Sequence, residues 1–95
     1  MAGRPNHRGW VVLDSIRSLD GLWCVDLIEH PAGGFGFEHF RAEPEDRGQW
    51  TAVGGHGATV FDSPIAALEA AVAGVGWLDA DRGDVVAARE RLVVD

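Results

Sequence analysis

The sequence predicts an α+β domain in which an antiparallel meander sheet of four to five strands packs on one main helix. Between Trp10 and Phe61, short stretches rich in β-branched and aromatic residues alternate with turn residues. After Asp62 the apolar spacing changes from two residues to three or four, which is the period of a helix. The connections between the predicted strands are too short for crossover helices, so neighbouring strands should run antiparallel.

Each predicted strand is an apolar stretch that ends at a turn or loop. Asp20-Gly21 suits a tight hairpin turn after the first strand, and the alternation in "FGFEHFR" is typical of a strand. The strands are predicted at about 10–17, 22–29, 35–41 and 49–53, with a possible fifth at 59–61.

The main helix is predicted at about 63–78. Pro64 suits the first helical position, and Ile65, Leu68, Val72 and Val75 form one apolar stripe that should face the sheet. A short C-terminal helix is predicted at about 84–93, although its valines leave a strand as an alternative. Strands followed by the Ala-rich "SPIAALEAAVAGVGWL" are similar in outline to small antitoxin-like domains of the HicB kind, a likeness that implies no site residue.

Ninety-five residues are enough for one domain, predicted at 10–95 behind a flexible polar N-terminal tail at 1–9. The single cysteine, Cys24, excludes an internal disulfide. All eight basic residues are Arg, which is typical of a GC-rich bacterial coding bias. We find no signal-peptide core and no apolar run near the length of a membrane span, and therefore expect a cytoplasmic location and no membrane partner.

The charge distribution predicts that the chain does not bind nucleic acid. The formal net charge is −7, and from Trp10 onward six Arg stand against fifteen acidic residues. "GGFGFEHF" (33–40) matches much of the aromatic signature strand of RRM domains, but Gly33 replaces its basic residue and Glu38 its valine. No helical period precedes it, so we interpret the stretch as an ordinary hairpin strand.

Turn geometry predicts which residues share each face of the sheet. If Leu19 faces Leu22, then Ile16 faces Val25, Asp14 faces Leu27 and Val12 faces Glu29. If Glu29 faces Phe35, then Leu27 faces Phe37 and Val25 faces His39. The predicted core face carries Trp10, Val12, Ile16, Trp23, Val25, Leu27, Phe35 and Phe37. The opposite face carries Leu13, Ser15, Arg17, Cys24, Asp26, Ile28, Gly36, Glu38 and Phe40.

Two pairs of titratable residues are weak candidates for catalytic chemistry. Asp14 and His39 become diagonal neighbours on the core face, and a carboxylate that orients an imidazole is a catalytic pattern. Asp26 and Glu38 become directly opposed, where like charges require a neutralising Arg17, a raised carboxyl pKa or a different register. No nucleophile accompanies either pair, and structural roles are the alternative for both.

No cofactor or metal site is predicted. The four histidines lack a short ligand spacing, and "VGGHGATVF" lacks the Lys and Ser/Thr of a phosphate loop.

Three functional hypotheses remain open at the level of the sequence. The first is a non-enzymatic protein-interaction domain that forms a homodimer through Leu13, Ile28 and Phe40. One helix covers only one sheet face, and the C-terminal segment has few large apolar residues to cover the other. The second is an acidic inhibitor or regulator that docks on a basic protein surface. The third is a small enzyme or ligand-binding domain that uses Asp26/Glu38 or Asp14/His39.

Overall fold

Five antiparallel strands in sequential order form one sheet, and two helices follow in the chain, which confirms the predicted α+β class. These elements belong to a computed structural model that describes residues 4–5, 9–43, 49–79 and 81–94. The strands are β1 (Arg4–Pro5), β2 (Val11–Arg17), β3 (Trp23–Glu29), β4 (Phe35–Glu43) and β5 (Gln49–Val53). A 3₁₀ turn at His56–Ala58 precedes the helices α1 (Pro64–Gly74) and α2 (Gly83–Val94).

The fifth strand lies at the N-terminus and not at 59–61. Arg4–Pro5 pairs with Val11 and Val12, so these two residues differ from the flexible tail expected at 1–9. The segment 59–61 forms only an isolated bridge, in which Phe61 exchanges two backbone hydrogen bonds with Phe35. The remainder of the tail at 1–3 and 6–8, and most of the acidic loop at 44–48, lie outside the described residues.

The predicted strand registers are confirmed except at the start of β2. Ile16 pairs with Val25, and the whole of β3 pairs with β4 as predicted. At Leu13, however, β2 contains an extra residue, and Val12 therefore pairs with Ile28 and not with Glu29. A bulge of this kind reverses the side-chain alternation of the residues before it. Val12 consequently shares a face with Ile28, opposite to its predicted side.

The two helices pack against the first face of the sheet and form the main core with it. Buried residues from β2, β3, β4, α1 and the segment after α1 meet there, together with Val85 and Ala88 of α2. Leu68 is completely buried, as the predicted helix stripe requires, whereas Ile65 and Val72 lie at the margin of the core. The sheet side of this core consists of Ile16, Val25, Leu27 and Phe37.

Both helices begin and end for local reasons. The hydroxyl of Ser63 accepts a hydrogen bond from the backbone N–H of Ala66, and Pro64 occupies the first turn of α1. The helix ends at Gly74, earlier than the predicted residue 78, because glycine disfavours helix and a turn between Val75 and Leu78 follows. The predicted C-terminal helix is confirmed as α2.

Candidate functional site

Asp14 and His39 lie on the first face, but their side chains bind different partners. The carboxylate of Asp14 accepts hydrogen bonds of 2.6 and 3.0 Å from Arg91 of α2. His39 instead accepts a 2.9 Å hydrogen bond at Nε2 from the indole N–H of Trp77. The structure therefore does not assemble the predicted carboxylate–imidazole pair. Both partners come from the C-terminal third of the chain, where a sheet register carries no information.

His39 lies in an aromatic cluster that requires its neutral form. Its ring centroid is 5.2 Å from that of Trp23 and 6.4 Å from that of His56, and the Arg82 guanidinium lies over the neighbouring Trp77. Burial lowers the pKa of His39 below the ordinary value of 6.5, and repulsion from His56 lowers it further. Because Nε2 accepts from Trp77, a proton at that nitrogen would also break the hydrogen bond.

We expect the stability of the domain to fall as the pH drops below about 6.5 through this histidine. The unfolded chain then binds a proton that the folded chain does not yet accept, so the free energy of unfolding decreases until the pH passes the folded pKa of His39. Denaturant unfolding at about pH 7.5 and at several lower values down to about pH 5 measures this loss.

His39→Gln is the control, because its amide oxygen can still accept from Trp77 but does not titrate. The variant should lose less stability than the wild type over the same pH range. Equal losses in the two proteins would show that His39 does not contribute to the pH dependence.

Asp26 and Glu38 are directly opposed across β3 and β4, as the sequence predicts. The Oδ1 atom of Asp26 accepts from the Ser15 hydroxyl at 2.6 Å and from the Cys24 thiol at 3.4 Å, towards β2. Glu38 is only 2% exposed and lies against Gly57, where an added Cβ would be 3.0 Å from its Cγ and 3.1 Å from Oε2. The two carboxylates thus have separate surroundings, and the predicted Arg17 bridge between them is absent.

One end of the second sheet face is covered by the chain itself. Trp10 and His30 pack edge to face, with ring centroids 4.5 Å apart. Gly57 lies close to Trp10, and the carbonyl oxygen of Thr59 lies close to Gly36, so the segment after β5 closes over this end. The residues buried at this end include Val12, Ile28 and Glu38.

These contacts change the basis of the predicted dimer interface. Ile28 is fully buried and Phe40 is 7% exposed within a single chain, and Leu13 is half-buried at the bulge. The exposed apolar patch from which a homodimer was predicted is therefore not present on this face. The C-terminal segment does not cover the face either, because α2 packs on the opposite side of the sheet.

The other end of the second face is an open groove of about 360 Å³ that crosses β2, β3, β4 and β5. Arg17 and Trp50 extend towards one another from the two sides, and the guanidinium carbon lies 5.5 Å from the centre of the Trp50 ring. The groove is lined by Ser15, Arg17, Cys24, Asp26, Phe40, Trp50 and Ala52. It combines an aromatic wall with one cation, one carboxylate and one hydroxyl.

Sequence reasoning assigned no functional role to Trp50 in this groove or to Trp77 beside His39. Alternation within "QWTAV" places Trp50 and Ala52 on one face, but the pairing with β4 that makes this the Phe40 face crosses the unassigned acidic loop. The contact of Trp77 with His39 spans 38 residues and depends on how α1 docks. Neither contact has a local signal in the sequence.

Known proteins and metal-binding geometry provide no further assignment. No family model matches the chain, and no curated protein or solved structure matches it significantly. Within residues 4–5, 9–43, 49–79 and 81–94, no three His, Cys, Asp or Glu side chains are grouped to hold a metal ion. None of the helices in this part of the chain is long and apolar enough to cross a membrane.

Proposed function

We propose that this protein is a non-enzymatic interaction domain that forms a homodimer through the outer edge of β5. The observation that carries this proposal is the edge itself. β5 is the last strand in the sheet order, and no described strand pairs with its outer side. Four of its five residues are exposed, from Gln49 to Ala52.

An exposed edge strand offers unpaired backbone groups to another strand, and proteins that remain monomeric usually protect such edges with charges, proline or a bulge. β5 has the sequence "QWTAV", which contains neither a charged residue nor proline. Its register with β4 runs without a break from Glu43↔Gln49 to His39↔Val53. The strand is therefore regular, uncharged and able to accept a sixth strand.

A second copy of the chain suits this edge because an antiparallel pair of identical strands has a twofold axis and closes after two subunits. All five residues are paired only if the axis passes through Thr51. Trp50 then faces Ala52 of the partner, and Gln49 faces its Val53. The pairing joins the two sheets into one and leaves the helix-covered faces unchanged.

The separation of the predicted acid–base pairs supports the non-enzymatic part of the proposal. Asp14 is bound to Arg91 and His39 to Trp77, and Asp26 and Glu38 have separate surroundings. Neither pair is arranged for proton transfer to a shared substrate atom.

We expect Thr51→Glu to convert the dimer to a monomer without unfolding the domain. The new carboxylate lies opposite Arg41 within the chain, which favours the fold, but opposite its own copy across the twofold axis. Sedimentation equilibrium at high micromolar concentration measures the mass, and circular dichroism checks the fold. Leu19→Glu adds the same charge at a residue that is 96% exposed in the turn between β2 and β3, and should remain dimeric.

Two results would contradict the proposal: a wild-type protein that is monomeric at these concentrations, or a Thr51→Glu variant that remains dimeric. Thr51→Cys gives an independent reading, because antiparallel partners lie within disulfide range and should cross-link under oxidation.

Added salt separates this proposal from a function as an acidic regulator. Two copies of net charge −7 repel, so salt should strengthen self-association. Binding to a basic protein surface should instead weaken as salt is added. A monomer that captures a basic partner in a salt-sensitive manner would favour the regulator.

A further inference from the structure

We propose that the open groove on the second sheet face binds a small zwitterionic organic molecule with an apolar body, for which an apolar amino acid is the simplest example. This inference does not depend on self-association, because the groove lies within one chain. Its volume of about 360 Å³ is at the lower end of the range of small-molecule sites.

Arg17 provides the anion-binding end of the groove. The three salt bridges among the described residues use Arg82, Arg89 and Arg91, and none of them uses Arg17. Its guanidinium lies over the face of Trp50, which holds the cation at the wall of the groove while its N–H donors remain available to a carboxylate. A planar guanidinium binds a carboxylate with two parallel hydrogen bonds.

Asp26 provides the cation-binding end. Its Oδ1 atom accepts from Ser15 and Cys24, which fixes the orientation of the carboxylate. No described Arg pairs with it, so its negative charge is available to an ammonium group in the groove.

The strand register places these two charges within reach of one molecule. Arg17 pairs with Cys24 and Ser15 with Asp26, so Arg17 and Asp26 are diagonal neighbours on one face, with roughly 7–8 Å between their backbones. A ligand that carries an ammonium and a carboxylate on adjacent carbons matches one positive and one negative group at this spacing.

Apolar surface lies between and beside the two charges. Phe40 lies on the floor, with Trp50 and Ala52 on the β5 side. An aliphatic or aromatic side chain of the ligand would remove this surface from water. The net charge of −7 repels a simple anion at long range, whereas a zwitterion is neutral and does not meet this repulsion.

The test is an NMR titration of the folded protein with L-leucine, L-phenylalanine and L-tryptophan, up to about 10 mM of each. At least one of them should shift the backbone amide resonances of the groove strands. 2-Phenylethylamine lacks the carboxylate and 3-phenylpropanoate lacks the ammonium, and both should bind about tenfold more weakly than phenylalanine or more weakly still. Absence of binding by all three amino acids, or equal binding of phenylalanine and either analogue, would overturn the proposal.

Two substitutions assign the charges. Arg17→Gln should weaken binding of the best amino acid by about tenfold and bring it close to that of the matching amine. Asp26→Asn should similarly remove the advantage over the matching carboxylate. Arg41→Gln is the control: Arg41 is also exposed and forms no salt bridge with a described residue, but it does not line the groove.

Equal loss in the control would show that general charge, and not the groove, determines binding. The same titration of Thr51→Glu separates the two proposals, because this variant keeps the groove whether or not the protein forms a dimer.

Discussion

Leu68→Ala is expected to reduce the free energy of unfolding by about 3 kcal/mol, within the usual range for truncation of a buried leucine. Leu68 has no exposed surface and lies in the middle of α1, between the sheet and the segment that follows the helix. The neighbouring small residues Ala67 and Ala71 are also fully buried, so the helix backbone already lies close to the sheet. The sheet therefore has little room to move inward and fill the cavity.

Leu19→Ala is the matched control because it makes the same chemical change at a leucine that is 96% exposed. Its effect should be below about 0.5 kcal/mol. Urea or guanidinium unfolding of the wild type and the two variants measures the difference. A loss below about 0.5 kcal/mol in Leu68→Ala would mean that α1 does not pack on this face of the sheet.

The sheet could be predicted from the sequence where local rules determine it. Asp20-Gly21 fixes the β2–β3 hairpin, and alternation then gives the correct partners from Arg17 to Asp14. The same reasoning gives the whole of the β3–β4 register. It stops at Leu13, because a bulge is one extra residue in an otherwise ordinary apolar stretch and has no compositional signal. Trp10 and Val12, which precede the bulge, were therefore assigned to the wrong face.

The candidate site could be predicted only as far as the register extends. Alternation places Arg17, Asp26 and Phe40 on one face, and that assignment is correct. The directions of the side chains depend on contacts that alternation does not contain. Arg17 turns to Trp50 and not to Asp26, because the indole of β5 lies on the same face. The assumption that one helix must leave the second face bare was wrong, because loop segments and long side chains cover part of it.

Gly36→Ala is expected to destabilise the domain by about 2 kcal/mol, as in other cases of overpacking. The backbone of Gly36 does not require glycine, since only other glycines have positive φ angles. The requirement is space: an added Cβ would lie 2.9 Å from the carbonyl oxygen of Thr59 and 3.2 Å from Nε2 of His30. The backbone carbonyl cannot rotate away without moving the segment that bridges Phe61 to Phe35.

Hydrogen exchange should locate this effect as well as measure it. The amide of Phe61 donates to the carbonyl of Phe35 at 2.7 Å and should lose protection in Gly36→Ala, whereas the amide of Val75, bonded to Ala71, should change only with global stability. Gly74→Ala is the control, because nothing lies within 4 Å of its added Cβ at the end of α1, and alanine favours helix. If Gly36→Ala matches Gly74→Ala in stability and leaves Phe61 protected, the segment after β5 does not close over this end of the sheet.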